Sequence, residues 1–252
     1  MKPVLLVPIC NQGEPFKELA EALNRYELPV LVIDDGSDRE TREILRGIDQ
    51  KYEQFTLLHH EQNLGKGKAM KTGMTYAANQ GYTHALQIDA DYQHDPSDIP
   101  LLLKQARAHP DALVLGIPSF DESVPNHRYY FRYLTHIWVW IETVSFDIPD
   151  ALCGYRVYPL QRSLDVMRCY ELDNRMAFDP GFAVRYYWDG GEIRCIDTIV
   201  RYPNNHLSNY NPIADTIRIS WMHFRSVLGM LYRLPELFRR TCSKRESSPS
   251  ST

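Results

Sequence analysis

Three oxygen-bearing side chains, Asp89, Asp91 and Gln93, alternate along the segment ALQIDADYQHDP, which covers residues 85–96. They follow an apolar run, so they stand just past a predicted buried strand, where residues i, i+2 and i+4 lean to the same side. Carboxylates packed this closely repel each other and resist burial unless positive charge lies between them. Three oxygen ligands on one side suit a hard divalent cation, Mg²⁺ or Mn²⁺, that keeps open positions for substrate phosphates.

The same segment also has a plainer interpretation. It could be a solvated turn at the end of a strand, with Ser97 or Asp98 capping the next helix. An EF-hand calcium loop is excluded, because His94 stands where the tight turn requires glycine. Two aspartates one residue apart are not specific by themselves, so the other polar segments must decide between these interpretations.

The segment VIDDGS, residues 32–37, contains a second pair of carboxylates, Asp34 and Asp35. Asp34 or Asp35 could accept a hydrogen bond from a nucleobase or ribose at the end of a second predicted strand. The alternative is an ordinary turn between strand and helix, with Ser37 or Asp38 as the helix N-cap. The residue types alone leave both interpretations open.

The segment NLGKGKAMKTG, residues 63–73, offers Lys66 and Lys68 to a diphosphate at a predicted helix N-terminus. It does not have the Walker A spacing, because no Gly-Lys-Ser or Gly-Lys-Thr follows Gly65 at the required distance. Considered alone, this segment is better explained as a loop followed by an amphipathic helix.

Strand-like and helical patterns alternate through the first half of the chain. Strands are predicted at 3–9, 29–37, 55–60, 84–91 and 111–117, and helices at 16–25, 38–50, 65–81 and 96–109. This alternation predicts βαβ units and a mainly parallel sheet. Ligands of such sheets bind at the carboxyl ends of the strands. That rule brings together Asn11, Asp34, Asp35, Asp89 and Asp91.

The second half has a different pattern. Helices are predicted at 126–144 and 180–191, a turn with a short strand at 150–160, and a strand at 192–203. A long helix begins near Asp215 and carries an apolar stripe flanked by arginines. The stripe is Ile217, Trp221, Phe224, Leu228 and Leu231; the arginines are Arg218, Arg225, Arg233 and Arg240. The helix either lies in an anionic membrane interface or covers the sheet while its arginines reach water.

Composition narrows the class of protein. A net charge of −4 over 252 residues does not indicate a nucleic-acid binder. Five cysteines without C-x-x-C spacing indicate reduced thiols, and no stretch of about 20 residues is apolar enough to span a bilayer. We therefore expect a cytoplasmic protein. Its predicted parts are one domain over 1–213, the amphipathic helix over 214–240 and a disordered tail over 241–252. Pro235 should kink or restart the helix.

Taken together and in order, these motifs resemble the family-2 glycosyltransferases. The matching pieces are VPICNQ (7–12), VIDDGS (32–37), NLGKGKAMKTG (63–73), DADYQHDP (89–96) and DALCGYRVY (150–158). The closest likeness is to the dolichyl- or polyprenyl-phosphate sugar synthase branch. The resemblance implies a GT-A fold, an α/β architecture with a mainly parallel, Rossmann-like sheet flanked by helices. It also implies inverting, metal-dependent sugar transfer from a UDP- or GDP-linked donor to a lipid-linked acceptor at the inner face of the cell membrane.

The resemblance also assigns roles to residues of this chain. The implied nucleotide-sugar pocket comprises Pro8, Asn11, Asp34, Asp35, Lys66, Lys68, Asp89 and Ala90. The implied ligands of Mg²⁺ or Mn²⁺ are Asp89, Asp91 and Gln93, with Asp91 counted as catalytic.

Several positions depart from the family pattern. Gln12 stands where glutamate is common, and GIPSFD replaces a basic segment near residue 116. A phosphate-neutralising arginine must then come from elsewhere, for which the candidates are Arg128, Arg132 and Arg156. His206, Ser208 and Asn209 are further phosphate-binding candidates, although a plain surface loop is the better interpretation of that segment.

The family's usual Glu-Asp base motif is absent, and Asp179 is the acidic residue in a comparable place. Asp179 would be the general base for a hydroxyl acceptor, whereas a lipid phosphate is already an anion and needs none. Alternatively, Asp179 caps a helix in which Pro180 is the first residue. Two other functions stay open: transfer to a soluble or carrier-bound hydroxyl, and a catalytically silent module that binds nucleotide sugars.

Overall fold

A computed structural model describes residues 1–119, 126–200 and 211–247. In the first half the elements are β1 (Pro3–Ile9), α1 (Gly13–Asn24), β2 (Val30–Asp35), α2 (Arg39–Lys51), β3 (Phe55–His60), α3 (Lys66–Asn79), β4 (His84–Gln87), α4 (Ile99–Ala108) and β5 (Ala112–Ser119). They are followed by α5 (Asn126–Thr143), β6 (Arg156–Pro159), α6 (Leu160–Cys169), α7 (Phe178–Trp188), β7 (Glu192–Ile199) and α8 (Pro212–Ser247).

The described strands form one sheet in the order β3-β2-β1-β4-β6-β5-β7. β1 pairs in parallel with β2 and β4, and β2 pairs in parallel with β3. β6 is antiparallel to both β4 and β5, whereas β7 is parallel to β5. The predicted mainly parallel α/β sheet is therefore confirmed. β2 and β3 lie on one side of β1, and β4 lies on the other, so the order of the strands reverses at β1. Sheets of this kind bind ligands in the crevice at such a reversal, which here is flanked by the carboxyl ends of β1, β2 and β4.

Each face of the sheet has its own apolar core, because successive strand residues point to opposite faces. Leu5, Val7 and Val32 lie in the core that contains α1, α2 and α4. Leu6 and Ile33 lie in the core that contains α3, α6 and α7. Burial on both faces explains the continuous apolar runs of β1 and β2.

Some boundaries differ from the sequence-based expectations. β4 ends at Gln87 instead of continuing to residue 91, so Asp89 and Asp91 lie in the loop that follows the strand. A short 3₁₀ turn, Pro96–Asp98, precedes α4, and Asp95 caps this turn by accepting from the Ser97 backbone N–H. Asp98 is the N-cap residue of α4 itself, as one of the two expectations had it, although its side chain makes no capping hydrogen bond. Helix α6 was not predicted. It begins directly after β6, where the sequence carries no obvious capping residue.

Helix α8 is longer than predicted and continues through Pro235 to Ser247. Residues 241–247, expected in a disordered tail, are therefore helical, and residues 248–252 lie outside the described residues. The buried face of α8, which includes Met222, Ser226 and Met230, packs against α5 and α7. No helix in the described ranges has both the length and the apolar character that a bilayer span requires.

The apolar stripe of α8 faces away from the protein. Its five side chains are between 46% and 64% exposed, so the stripe does not cover the sheet. The arginines instead contact the protein. Arg218 pairs with Asp215, Arg225 pairs with Glu171, and Arg240 donates to backbone carbonyls at Tyr187 and Gly191. These three arginines of the predicted row therefore each have a partner within the protein.

Candidate active site at the carboxyl ends of the strands

The loops that follow β1 and β2 are joined by Asn11. This residue has a left-handed backbone, with φ of 55°. Its backbone N–H donates to Ser37 Oγ at 3.0 Å, and its Oδ1 accepts from the backbone N–H of Asp38 at 2.8 Å. Pro8 is buried within β1 beside Ile33 of β2. The structure thus brings both residues to the predicted edge, where Asn11 fixes the shape of the rim.

The two aspartates of β2 point to opposite faces of the sheet. Asp34 accepts from the Ser37 backbone N–H at 2.9 Å and lies 2.6 Å from His59 Nδ1. It therefore stabilises the turn into α2, where Asp38 caps the helix by accepting from Thr41.

Asp35 is directed toward the start of α3. Its two carboxylate oxygens accept from the backbone N–H groups of Leu64 and Gly65, at 2.9 and 2.7 Å. His60 Nδ1 lies 2.8 Å from the same carboxylate. Asp35 therefore ties the end of β2 to the loop that carries Lys66. The residue types could not reveal this role, because the partners are backbone groups 29 and 30 positions away.

Glycines allow α3 to begin in close contact with the segment before α7. Gly65 has φ of 100°, and a Cβ there would lie 2.3 Å from the carbonyl oxygen of Asn174. A Cβ on Gly67 would lie 2.6 Å from the carbonyl oxygen of Asp173. The Gly-Lys-Gly sequence is thus required for this approach, and it places the side chain of Lys66 between β4 and α7.

Lys66 joins two carboxylates from distant parts of the chain. Its ammonium lies 2.9 Å from Asp89 and 2.9 Å from Asp179 Oδ2. Lys66 therefore belongs to the predicted edge, but its partners are carboxylates. Lys68, in contrast, is exposed on α3. Sequence reasoning missed the pairing because nothing in the spacing shows that α7 packs beside α3.

Lys66, Asp89 and Asp179 form an ion network in which opposite charges shift the pKa values of Lys66 and Asp89 toward their charged forms. Burial alone would lower the pKa of Lys66, but Asp179 and Asp89 outweigh it and hold that pKa above its ordinary value. Burial alone would raise the pKa of Asp89, and Lys66 outweighs it, so the pKa of Asp89 lies below its ordinary value. At neutral pH the ammonium and the Asp89 carboxylate are therefore both charged.

The Asp89 carboxylate is held from several sides. Gln87 Nε2 donates to its Oδ1 at 3.1 Å, and the Tyr158 hydroxyl donates to Gln87 Oε1 at 2.8 Å. Gly154 lies so close that a Cβ there would be 2.2 Å from Asp89 Oδ2. The Asp89 side chain is 24% exposed, so a ligand can still reach it. Ala90 is buried in the opposite core, against α1 and α4.

Asp91 and Gln93 follow in a tight turn. Tyr92 between them has φ of 56°, and the backbone N–H of Gln93 donates to Asp91 Oδ1 at 3.1 Å. Asp89 and Asp91 both act on the buried His94. Burial lowers the pKa of this imidazole, and the two carboxylates oppose that effect without overcoming it. Both carboxylates therefore lie near His94, at the end of β4.

The donor set fits a hard divalent cation. Asp89, Asp91 and Gln93 offer only oxygen, which Mg²⁺ and Mn²⁺ prefer. Asp179 Oδ1 is buried without a hydrogen-bond partner among the described residues, so the network has more negative charge than Lys66 satisfies. Within the same residues, no three His, Cys, Asp or Glu side chains group as a metal site. A cation here would thus need the Gln93 amide oxygen and substrate oxygens as further ligands.

Two of the candidate phosphate-binding arginines have other roles. Arg156 is fully buried and donates to the carbonyl oxygens of Cys153, Ala151 and Asp179, so the expectation that it meets a substrate phosphate is wrong. Arg132 forms a two-pronged salt bridge with Asp150 at 2.5 and 2.8 Å. The side chain of Arg128 and all of residues 201–210, with His206, Ser208 and Asn209, lie outside the described residues.

Asp179 lies in the first turn of α7 and is 4% exposed. The N-cap of α7 is Ala177, so the expectation that Asp179 caps the helix is wrong. Its carboxylate instead faces Lys66 and the Asp89 loop.

Known proteins of similar sequence indicate the family of this chain. Residues 4–164 match the profile described as Glycosyl transferase family 2. An uncharacterized protein of Methanocaldococcus jannaschii is 29% identical over 191 residues, covering 73% of this chain and 79% of that protein. An undecaprenyl-phosphate mannosyltransferase of Micrococcus luteus is 26% identical over 193 residues, covering 73% and 75%. A dolichyl-phosphate β-glucosyltransferase of Trichomonas vaginalis is 27% identical over 170 residues; the match covers 64% of this chain but only half of that protein.

Solved structures share the fold at low sequence identity. Glucosyl-3-phosphoglycerate synthase from Mycobacterium tuberculosis, in complex with UDP, superposes with a TM-score of 0.66 at 15% identity. The match covers 91% of this chain and 79% of that chain. A mannosyltransferase from Pyrobaculum calidifontis, in complex with GDP-Man and Mn²⁺, has a TM-score of 0.57 at 15% identity, covering 98% and 76%. These neighbours are GT-A glycosyltransferases, so the predicted GT-A fold is confirmed.

Proposed function

From the premise that this chain belongs to glycosyl transferase family 2, we propose an inverting transfer from a UDP- or GDP-linked sugar to a polyprenyl-phosphate acceptor, dependent on Mg²⁺ or Mn²⁺. The observation that carries the proposal is the charged, partly exposed Asp89 carboxylate at the end of β4. It lies beside Lys66 and Asp179 and is followed by Asp91 and Gln93.

The proposed binding mode uses the edge formed by β1, β2 and β4. Asn11 and the loop held by Asp35 supply a rigid rim for the nucleoside. Asp89, Asp91 and Gln93 would hold the divalent cation, which supplies positive charge to the diphosphate leaving group. The acceptor would then attack the anomeric carbon from the face opposite the diphosphate and invert that carbon.

Asp179 distinguishes the candidate acceptors. Its Oδ2 is paired with the Lys66 ammonium, and its Oδ1 is buried. A polyprenyl phosphate brings its own anionic nucleophile, so Asp179 would have no proton to remove and would act through charge and position. A hydroxyl acceptor requires a base in contact with it. The names of the Micrococcus and Trichomonas relatives favour the phosphate acceptor for this chain.

A lipid-linked acceptor also requires access to a bilayer, and the exposed stripe of α8 supports peripheral binding there. Trp221 and Phe224 stack with ring centroids 5.5 Å apart, and both are more than half exposed. Leu134 and Ile141 of the neighbouring helix α5 are exposed as well. Exposed aromatic and aliphatic side chains in this number suit insertion at the level of lipid headgroups. The proposed location is the cytoplasmic face of the membrane.

A thermal-shift screen of UDP- and GDP-linked sugars with Mn²⁺ tests the donor, because a ligand of the folded state raises the melting temperature. The donor that binds is then incubated with polyprenyl phosphate, with and without EDTA. Metal-dependent release of nucleoside diphosphate supports the proposal. Binding without turnover supports instead the silent module, and turnover only with a hydroxyl acceptor supports the alternative enzyme.

A further inference from the structure

We propose that Lys66 is an internal competitor of the divalent cation, so that the metal binds firmly only when a nucleoside diphosphate offers the Lys66 ammonium another partner. This inference rests on the proposed function, since it concerns the same carboxylates. It assigns Lys66 a positioning role in which the side chain changes partner during binding.

The contacts of Lys66 motivate the inference. Its ammonium lies 2.9 Å from both Oδ1 and Oδ2 of Asp89, so it faces the oxygens that a metal would use. It also lies 2.9 Å from Asp179 Oδ2. A cation entering at Asp89 would meet this ammonium at contact distance, where like charges repel strongly because burial weakens solvent screening. Metal alone must therefore displace Lys66 from at least one carboxylate.

A diphosphate changes this balance. It brings negative charge that can accept the ammonium, which has three donors on a flexible stem. The Lys66 side chain is 15% exposed, so it lies at the boundary between the buried network and the open edge of the sheet. With Lys66 directed to the diphosphate, the Asp89 oxygens become available to the metal. Metal and nucleotide then each strengthen the binding of the other, as linkage requires.

The surrounding residues favour movement of Lys66 over movement of Asp89. Gln87 and Tyr158 hold the Asp89 carboxylate by a hydrogen-bonded chain, and Gly154 leaves no room for it to shift toward β6. Lys66, in contrast, begins α3, and its long side chain is the flexible part of the network. When the metal ion binds, the Asp89 carboxylate therefore stays in place and the Lys66 ammonium moves.

The test is calorimetric titration of Mn²⁺ into the full chain, with and without the nucleoside diphosphate of the donor. The key variant combines Lys66→Met with Asp179→Asn. It removes one positive and one negative charge, so net charge is unchanged, and it leaves Asp89 as the one carboxylate of the network, without the ammonium that competes with a metal ion. We expect wild type to bind Mn²⁺ at least about tenfold more tightly with nucleotide, within the range of about 5–150-fold usual for coupled sites. The double variant should bind Mn²⁺ alone at least about tenfold more tightly than wild type, with a smaller nucleotide effect.

Control variants distinguish competition between Lys66 and the metal ion from a general change in the electrostatic potential of the site. Lys68→Met removes the same charge two positions away on an exposed face of α3, and it should change the affinity for Mn²⁺ alone much less than the double variant does. Lys66→Arg keeps a cation and should keep Mn²⁺ binding weak in the absence of nucleotide. Lys66→Met alone provides a second measurement should the double variant be unstable.

The outcomes are distinguishable. If the double variant and Lys66→Met both bind Mn²⁺ alone no more tightly than wild type, while wild type still binds it with nucleotide, the inference is overturned and the proposed function stands. If wild type takes up no Mn²⁺ even with nucleotide, the metal dependence of the proposed function fails together with the inference.

Discussion

Replacing Gly154 by alanine should inactivate the site by moving one carboxylate. A Cβ at this position would lie 2.2 Å from Oδ2, 2.6 Å from Cγ and 2.6 Å from Oδ1 of Asp89. A Cβ in ordinary van der Waals contact lies 3.4–4 Å from its neighbours, so the carboxylate must retreat by about 1 Å. That displacement breaks the 2.9 Å contact with Lys66 and the 3.1 Å contact with Gln87, or strains the backbone of residue 154 instead.

A displacement of this size predicts large changes in rate and stability. Misplacing a reacting group by 1 Å costs about 10²-fold in rate, so turnover of the nucleotide sugar should fall by roughly that factor. Overpacking in a filled interior costs about 1–3 kcal/mol, which should appear in the free energy of unfolding measured with urea. Initial rates at saturating donor, compared at matched folded fractions, separate the two effects.

Gly47→Ala is the matched control for this substitution. Gly47 lies in the middle of α2, and a Cβ there would meet no heavy atom within 4 Å. Alanine at this site should raise the free energy of unfolding by about 0.4–1 kcal/mol and leave turnover unchanged. Full activity of Gly154→Ala, with stability equal to wild type, would refute the reasoning that Gly154 positions the carboxylate.

Three further changes test other parts of the structure. Asp150→Asn should lower the free energy of unfolding by about 3–5 kcal/mol at pH 7, because it removes one charge of the largely buried ion pair between Asp150 and Arg132. Burial alone would raise the pKa of Asp150, but its arginine salt bridge outweighs that and lowers the pKa. The difference in free energy of unfolding between wild type and this variant should therefore be fully present above about pH 4 and should decrease as the pH falls below that value. Denaturant titrations at several pH values measure this difference. Asp179→Asn should reduce transfer to a hydroxyl acceptor much more than transfer to polyprenyl phosphate, and equal losses of rate with both would contradict a base role confined to the hydroxyl. Trp221→Ser with Phe224→Ser should weaken co-sedimentation with vesicles containing anionic lipid by at least about tenfold, since each buried aromatic ring contributes about 1.5–3 kcal/mol. Leu101→Ser, at an exposed apolar site on α4, should have no effect on sedimentation. Unchanged sedimentation of the aromatic variant would exclude the stripe as the membrane contact.

The first half of the fold was predictable because its local signals agree. The apolar runs of β1 and β3 have the predicted bounds, 3–9 and 55–60, and the helices between the strands follow strong periodic patterns. Antiparallel insertion of β6 between β4 and β5 was not predictable. Pairing of Leu86 with Val157 depends on contacts across 71 positions, and neither segment's pattern specifies its neighbour.

Sequence reasoning located the edge of the site better than its contacts. Asp89 and Lys66 were both assigned to it, because each follows a strand or begins a helix at the carboxyl end of the sheet. Their direct pairing, and the contribution of Asp179 from α7, depend on how the helices pack over one face. The stripe of α8 shows the same limit. Periodicity identified Trp221 and Leu228 as one face, but only the packing of Met222 and Met230 shows which face is buried.

The central claim is that oxygen atoms of Asp89, Asp91 and Gln93 hold a divalent cation that sugar transfer requires. The most direct test is the initial rate of sugar transfer to polyprenyl phosphate by wild type and Asp91→Ala, before EDTA treatment, after it, and after Mn²⁺ is restored. The account predicts that wild type loses its activity with EDTA and regains it with Mn²⁺, whereas Asp91→Ala is inactive throughout. Transfer that continues in EDTA, or undiminished transfer by Asp91→Ala, would contradict it.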